Sequence, residues 1–135
     1  MYSNEHQIRV RYGETDQMGY LHHGNYPLYY EVGRVECMRS LGFPYGELEI
    51  SGVLMPVLSL DCKFIRPVLY DEHLTIKTTL LELPSSRMKF LYELFNEQGQ
   101  KVNEGHTELC FVDAKTRRPM RCPADILEKT QPYFS

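Results

Sequence analysis

The sequence predicts an α+β domain, in which one long helix packs on an antiparallel β-sheet. Strand-like alternation precedes a single stretch of helical periodicity, and four further segments of alternating apolar and polar residues follow it. Short turns separate these later segments, and such turns join antiparallel neighbours. No internal repeat, linker or low-complexity segment interrupts this order. We therefore treat residues 1–135 as one domain.

The first strand is predicted from His6 to Tyr12. Apolar residues there alternate with Gln7, Arg9 and Arg11, which is typical of a half-buried strand. The pattern breaks over Gly13–Gly24, a stretch with three glycines and several polar residues. This stretch is predicted to be a structured loop that leads into the helix.

A helix of about four to five turns is predicted from Asn25 to Gly42. Asn25 is suited to cap its start, Pro27 fits its first turn, and Gly42 is placed to end it. Gly33 in mid-helix costs about 1 kcal/mol relative to Ala, which is tolerable where a helix lies close against a sheet. Residues at helical spacing define the apolar face: Tyr26, Tyr30, Gly33, Cys37 and Leu41.

The other side of this helix is predicted to face solvent. Its charged residues form two i,i+3 pairs, Glu31–Arg34 and Glu36–Arg39. Pairs at this spacing stabilise an isolated helix by about 0.3 kcal/mol. Glu31 is therefore interpreted as a structural residue paired with Arg34.

The second half of the chain is predicted to form the rest of the sheet. Turns are expected at residues 84–87 and 97–100, which are rich in turn-forming residues. A short helix or turn is expected at Pro44–Ser51, and a short helix at Ala124–Thr130. The four strands are predicted at Val53–Ile65, Glu72–Leu83, Met88–Asn96 and Lys101–Asp113.

Composition restricts the possible partners. The net charge of -3, from 15 basic and 18 acidic side chains, gives no reason to expect nucleic acid. The four cysteines form no C-x-x-C pair, so no metal site is expected. They could form disulfides, but the N-terminus has no apolar signal region. We therefore expect reduced, mostly buried thiols in a cytoplasmic protein, and no apolar run reaches the ~20 residues of a membrane span.

Several segments together resemble a known enzyme family. The loop and helix start read YGETDQMGYLHHGNY, followed by YPLYYEVGRVECMRSLG. Later segments read FIRPVLYDEHLTIKT, PSSRMKFLYEL and FVDAKTRRPMRCPADI. Over roughly residues 5–128 the chain resembles hotdog-fold thioesterases of the 4-hydroxybenzoyl-CoA type, closest to bacterial acyl-CoA thioesterases related to the Tol-Pal-associated enzyme. The resemblance implies a five-stranded antiparallel sheet wrapped around the long helix, and dimers or tetramers with active sites between subunits.

The resemblance places the chemistry at the start of the helix. Asp16 occupies the position of the family's catalytic aspartate, acting as nucleophile or as general base towards water. The backbone N–H of His23 lies where the family polarises the thioester carbonyl. A helix N-terminus suits that role, because its N–H groups are free and carry partial positive charge. Removing one such donor typically costs ~3 kcal/mol in the transition state.

Other roles for these residues are open. Asp16 could be a turn aspartate, because Asp is favoured in such loops, and the His23 ring could contact substrate or water. The name-giving enzyme has Tyr at position 23, so the histidine favours an acyl group other than hydroxybenzoyl. His22 and Asn25 are interpreted as support. Another hotdog branch uses a glutamate on the helix as its catalytic carboxylate. Because this sequence already has Asp16, Glu31 is not assigned that catalytic role.

Coenzyme A carries phosphates, so basic residues near the cleft are its expected contacts. Arg87 is the first candidate for the nucleotide. A second basic cluster, Lys115–Arg121, is interpreted as a solvated hairpin end. The full set of candidate CoA-binding residues is Ser86, Arg87, Lys89, Lys63 and Arg66.

The expected function is therefore hydrolysis of acyl-CoA, with no cofactor beyond the CoA of the substrate. A dehydratase on the same fold is disfavoured, because the His and acidic partner that such enzymes use are not found in a matching context. A non-catalytic acyl-CoA binder or scaffold stays open, since one fold hosts many functions. An acyl-carrier-protein thioester also stays open as the substrate.

Overall fold

An antiparallel sheet crossed on one face by a long helix forms the body of the protein. The computed structural model describes residues 1–134. The strands are β1 (Tyr2–Arg9), β2 (Val53–Leu54), β3 (Val57–Phe64), β4 (His73–Leu80), β5 (Arg87–Phe95), β6 (Lys101–Asp113) and β7 (Pro119–Met120). The helices are α1 (Tyr26–Ser40), α2 (Tyr45–Ile50) and α3 (Ala124–Thr130). This confirms the α+β class and the hotdog fold.

The five long strands follow the spatial order β3-β6-β5-β4-β1, with all neighbours antiparallel. The 13-residue strand β6 lies between β5 and β3. The two-residue strands β2 and β7 pair with its C-terminal end. The five-stranded sheet is confirmed, with these two short strands added. Strands β1 and β3 are the two edges.

Helix α1 packs closely against the middle of the sheet. A Cβ atom added to Gly33 would lie 2.5 Å from Thr78 Oγ1 and 2.8 Å from Ile76 Cδ1. The close approach inferred from a mid-helix glycine is therefore confirmed. Gly42 follows the helix with a φ of 96°, the left-handed conformation that ends helices. The predicted apolar face is also confirmed, because Tyr26, Tyr30, Gly33, Cys37 and Leu41 are all buried.

Three predicted strands have wrong bounds. The predicted strand Glu72–Leu83 ends at Leu80 rather than at Leu83. Strand β1 covers residues 2–9 rather than 6–12, and Tyr12 is 79% exposed in a 3-10 turn at Tyr12–Glu14.

The stretch Val53–Ile65 forms two strands rather than one, with Pro56 between them. Proline has no N–H to donate to the sheet, so the strand is interrupted at this residue. The register with β6 stays the same across Pro56 and shifts only between Val57 and Ser59.

The predicted pairing of Glu31 with Arg34 is wrong, whereas Glu36 and Arg39 form the expected pair at 3.4 Å. Arg34 turns inward and is only 6% exposed. Its Nε donates to Tyr45 Oη at 2.8 Å, and its Nη1 donates to Tyr92 Oη at 3.0 Å. The two tyrosine hydroxyls therefore replace the carboxylate as partners.

All four cysteines are free thiols. Cys37 is buried, and burial raises the pKa of its thiol to about 12. Cys62, Cys110 and Cys122 are half-buried. The expected burial holds for Cys37 alone, whereas the reduced state of the thiols stays a prediction. Within residues 1–134, no helix is both long and apolar enough to cross a membrane.

Candidate active site

The loop between β1 and α1 is a small hairpin tied to the rest of the molecule. Thr15 lies opposite Leu21 in an antiparallel bridge, and Asp16 N donates to Tyr20 O at 2.8 Å. Leu21 N donates to Val68 O at 2.6 Å, which anchors the hairpin to the segment between β3 and β4. Backbone bonds therefore hold the candidate catalytic segment in place.

The Asp16 carboxylate divides its two oxygens between two environments. Oδ1 accepts hydrogen bonds from Met18 N at 2.9 Å and from Tyr20 N at 3.2 Å, and so holds the turn. Oδ2 has no hydrogen-bond partner among residues 1–134. The turn role and the chemical role are thus compatible, because one oxygen shapes the loop while the other is available for proton transfer or attack.

The backbone N–H of His23 is also available. His22 caps the helix start: its Nδ1 accepts from Gly24 N at 3.0 Å, and its carbonyl oxygen accepts from Asn25 N at 2.9 Å. His23 N–H, by contrast, has no acceptor among residues 1–134. A free N–H at this point can donate a hydrogen bond to an oxyanion and so stabilise its negative charge.

The predicted capping role of Asn25 is wrong. Its side chain makes no capping bond and instead donates from Nδ2 to Glu14 O at 2.8 Å. The same carbonyl oxygen accepts from His22 N at 2.9 Å. Asn25 therefore fastens the helix start to the loop, and the interpretation of His22 and Asn25 as support stays a prediction.

Glu14 is a central residue of this loop that the sequence analysis did not single out. Its carboxylate accepts from Arg11 N at 2.8 Å, from Arg11 Nη2 at 3.1 Å and from Tyr29 Oη at 2.7 Å. Burial opposes ionisation of this group, but the bonds from Arg11 and Tyr29 together lower its pKa. In the sequence, the i,i+3 spacing of Arg11 and Glu14 was the pattern that could have indicated this ion pair. The contact of Glu14 with Tyr29, from the first turns of α1, could not be inferred from that spacing.

Replacement of Glu14 by Gln is expected to lower the free energy of unfolding at pH 7 by about 2 kcal/mol, because bonds to a buried charged acceptor are lost. Since the folded state lowers the Glu14 pKa, this contribution is complete above its ordinary pKa of 4.5 and disappears as the pH falls below it. Urea unfolding at pH 7 and pH 3 measures both effects. The gap between wild type and variant should narrow at pH 3.

Glu128→Gln is the matched control, because Glu128 is exposed on α3. It should leave the unfolding midpoint unchanged at both pH values. A Glu14→Gln variant as stable as wild type at pH 7 would contradict the anchoring role of Glu14.

The candidate nucleotide contacts on β5 are engaged in surface ion pairs. Arg87 Nη1 lies 2.7 Å from Glu108 Oε1, and Lys89 Nζ lies 3.4 Å from Glu82 Oε1. Both cations are partly exposed, so these pairs contribute little to stability and can exchange partners.

The other candidates lie elsewhere. Lys63 is exposed on the edge strand β3, opposite Glu104 of β6, whereas Arg87 is opposite Cys110. Six residues along β6 separate these two positions, or about 20 Å. One subunit therefore does not bring Lys63 and Arg87 together. Arg66 lines a separate hollow beside Tyr20 and the end of β3.

Ser86 lies in a hollow of about 510 Å³ between the β4–β5 turn and the segment before α3. Arg121 lines the same hollow, although the sequence analysis assigned it to a solvated hairpin end. That assignment holds for the exposed residues Lys115, Arg117 and Arg118. Arg121 lies beyond the hairpin. It comes close to Ser86 because the chain after β7 folds back to the β4–β5 turn.

The loop thus offers a carboxylate oxygen and a helix-start amide, both free within residues 1–134, on a hotdog fold, which is the arrangement that the family resemblance led us to expect. The sequence model of the Thioesterase-like superfamily matches residues 10–130, and the chain belongs to this superfamily. The Bacillus subtilis protein YneP, provisionally named an acyl-CoA thioesterase, is 32% identical over 121 residues, covering 90% of this chain and 88% of its own.

Two further relatives agree with this placement. The acyl-CoA thioester hydrolase YbgC of Escherichia coli O157:H7 is 26% identical over 120 residues, covering 89% of this chain and 90% of its own. The crystal structure of DHNA-CoA thioesterase from Staphylococcus aureus matches with a TM-score of 0.93 at 33% identity. That match covers 98% of this chain and 91% of the other. The resemblance to the thioesterase family is thereby confirmed at the level of the superfamily.

Proposed function

We propose that the protein hydrolyses acyl-CoA thioesters to a free carboxylic acid and CoA. One observation carries the proposal: the same rigid loop presents Asp16 Oδ2 and His23 N–H without partners of their own among residues 1–134. Thioester hydrolysis requires a base or nucleophile and an oxyanion donor. The names of several relatives refer to the same reaction class.

In the proposed mechanism, the thioester carbonyl oxygen accepts from His23 N–H. As a general base, Asp16 takes a proton from water, and the resulting hydroxide adds to the carbonyl carbon. Negative charge then develops on the oxygen that faces the amide, and the C–S bond breaks to release the CoA thiolate. As a nucleophile, Asp16 would displace the thiolate itself and form an anhydride, which water then hydrolyses.

Thiol release from a substrate panel tests this function. The panel contains short-chain, long-chain and aromatic acyl-CoAs, an acyl-pantetheine that lacks the nucleotide, and an acyl carrier protein thioester. We expect release from acyl-CoA. Tight acyl-CoA binding without any thiol release would instead identify a non-catalytic binder. Release from the carrier protein thioester alone would identify an acyl-carrier-protein thioesterase.

The same panel tests the nucleotide contacts. We propose that Ser86 and Arg87, with Lys89, Lys63 and Arg66 as further candidates, contact the CoA phosphates. Arg87 is an exposed cation and Lys89 a half-buried one at the start of β5, and Ser86 shares its hollow with Arg121. If these residues bind the nucleotide, acyl-pantetheine should show a higher KM than the matching acyl-CoA. Equal KM values would remove the nucleotide contacts from the proposal.

We propose further that the protein is a cytoplasmic homodimer or homotetramer, and that it lies closest to the bacterial branch related to the Tol-Pal-associated enzyme. The edge strand β3 supports self-association, because one of its edges has no strand partner among residues 1–134 and apolar side chains along it are exposed. These side chains are Val57, Leu58, Leu60 and Phe64. Sedimentation equilibrium should give the mass of two or four chains, and a monomer mass would contradict the assembly.

A further inference from the structure

A cavity of about 370 Å³ lies beside α1, away from the loop that holds Asp16. Helices α1 and α2 form one side, and the segment from β2 to the start of β3 forms the other. Most of the wall is apolar. The apolar residues that line it are Val35, Leu48, Val53, Leu54, Met55 and Val57. Three charged side chains interrupt this wall, namely Arg34, Glu31 and Glu49.

Arg34 is the only one of these three charges that is buried. Tyr45 and Tyr92 hold its guanidinium through Nε and Nη1, as described above. Nη2 has no acceptor among residues 1–134, and Arg34 forms no ion pair there. Thr78 Oγ1 is the one fully enclosed side-chain nitrogen or oxygen without a partner in the described part of the chain. Nη2 also lacks a partner there but is not fully enclosed, so Arg34, which lines the cavity, has a spare donor.

The charges around the cavity select the chemistry of a ligand. Arg34 supplies N–H donors, whereas the exposed carboxylates of Glu31 and Glu49 supply only acceptors. A hydroxyl can accept from Arg34 and donate to a glutamate at the same time. A carboxylate can only accept, and two like charges would face it. An unsubstituted alkyl end would leave the Arg34 donor without a partner.

We propose that this cavity takes the far end of a medium-length acyl chain that carries a terminal hydroxyl, with Arg34 as the residue that selects it. This inference rests on the proposed hydrolysis of acyl-CoA. Helix α1 connects the two places, because it begins beside His23 and carries Arg34 on its third turn. Tyr26 and Arg34 are eight residues apart, or about 12 Å along the helix axis. A decanoyl chain has a length of that order.

Three acyl-CoAs that differ only at the chain end test the inference: decanoyl-CoA, 10-hydroxydecanoyl-CoA and decanedioyl-CoA. We expect a kcat/KM about tenfold higher for the hydroxylated chain than for the plain chain, since a hydrogen bond to a charged group discriminates by at least this factor. The dicarboxylic chain should be the poorest substrate. Arg34→Gln should bring the ratio of hydroxylated to plain chain close to one.

A second variant avoids the risk that loss of Arg34 disturbs Tyr45 and Tyr92. Glu31→Gln/Glu49→Gln changes only exposed carboxylates, and should raise kcat/KM for decanedioyl-CoA relative to decanoyl-CoA about fivefold. Glu47→Gln is the matched control, because Glu47 is exposed on the same helix α2 and does not line the cavity. It should leave all three substrates unchanged.

Equal kcat/KM for the hydroxylated and plain chains in wild type would overturn the inference and leave the hydrolase intact. If no thioester is hydrolysed, the proposed function fails, and calorimetry with free 10-hydroxydecanoate and decanoate then decides on the cavity alone. Preferential binding of the hydroxy acid that is lost in Arg34→Gln supports the site. Equal binding of the two acids rejects it.

Discussion

Replacement of Asp16 by Asn is expected to lower kcat for acyl-CoA hydrolysis at least ~100-fold and to leave the fold intact. The amide oxygen of Asn can still accept from the N–H groups of Met18 and Tyr20, which now bond to Oδ1. The turn is therefore retained. The second position, now Oδ2, becomes an NH₂ group that can neither take a proton from water nor attack a carbonyl. Thiol release measures the loss of turnover, and thermal unfolding measures whether the fold is retained.

Two comparisons make the experiment specific. Asp16→Ala removes the turn acceptor as well, so its melting temperature should fall while that of Asp16→Asn should not. Gln17→Ala changes an exposed neighbour in the same turn, and should keep turnover within about twofold of wild type. Turnover in Asp16→Asn equal to wild type would remove Asp16 from the mechanism, even if the protein proves to be a thioesterase.

The parts of the fold that the sequence predicted well are those determined by local chemistry. The bounds of β6 and α3 match the predicted Lys101–Asp113 and Ala124–Thr130. Gly42 marks the end of α1 because its left-handed φ is unfavourable for other residues. The turn role of Asp16 could also be predicted locally, because the residues that contact its Oδ1 lie within four residues of it. Such features can be inferred from neighbouring residues alone.

The errors arise where a side chain finds a distant partner. Arg34 lies one helical turn after the buried Tyr30, so its spacing alone would have placed it on the inner face. Its charge favoured the opposite assignment, and burial is acceptable because Tyr45, 11 residues away, and Tyr92, 58 residues away, accept its hydrogen bonds. Asn25 likewise contacts Glu14, 11 residues earlier, instead of capping its own helix. No local pattern predicts these contacts, because they depend on how α1 is seated against the loop and the sheet.

Replacement of Gly105 by Ala is expected to lower the free energy of unfolding by about 3 kcal/mol, the upper range for overpacking in a core. Gly105 is buried in the middle of β6, between β3 and β5. An added Cβ would overlap Tyr30 Oη, and would lie 2.5 Å from both Tyr30 Cε2 and Asp61 O. Real Cβ atoms essentially never approach other atoms closer than 3.0 Å, so either α1 or β3 must move.

Neither neighbour can move freely. Tyr30 stacks on Tyr92 with ring centroids 4.6 Å apart, and its hydroxyl bonds to Asn103 and, at 3.2 Å, to Cys62 Sγ. Asp61 O belongs to the backbone of β3, which is held by its pairing with β6. Displacing Tyr30 would break a buried hydrogen-bond network, and displacing β3 would open the sheet at its edge.

Gly46→Ala is the control for this prediction, because no atom of the described residues lies within 4 Å of a Cβ added there. Gly46 is in α2, where alanine is the better helix former, so stability should stay constant or rise by up to about 1 kcal/mol. Urea unfolding of the two variants beside wild type separates a steric effect from a general cost of losing glycine. A Gly105→Ala protein as stable as wild type would show that α1 is not seated against β6 through Tyr30. In that case the position of the helix start, and with it the His23 amide, would have to depend on the Glu14 and Asn25 contacts of the loop.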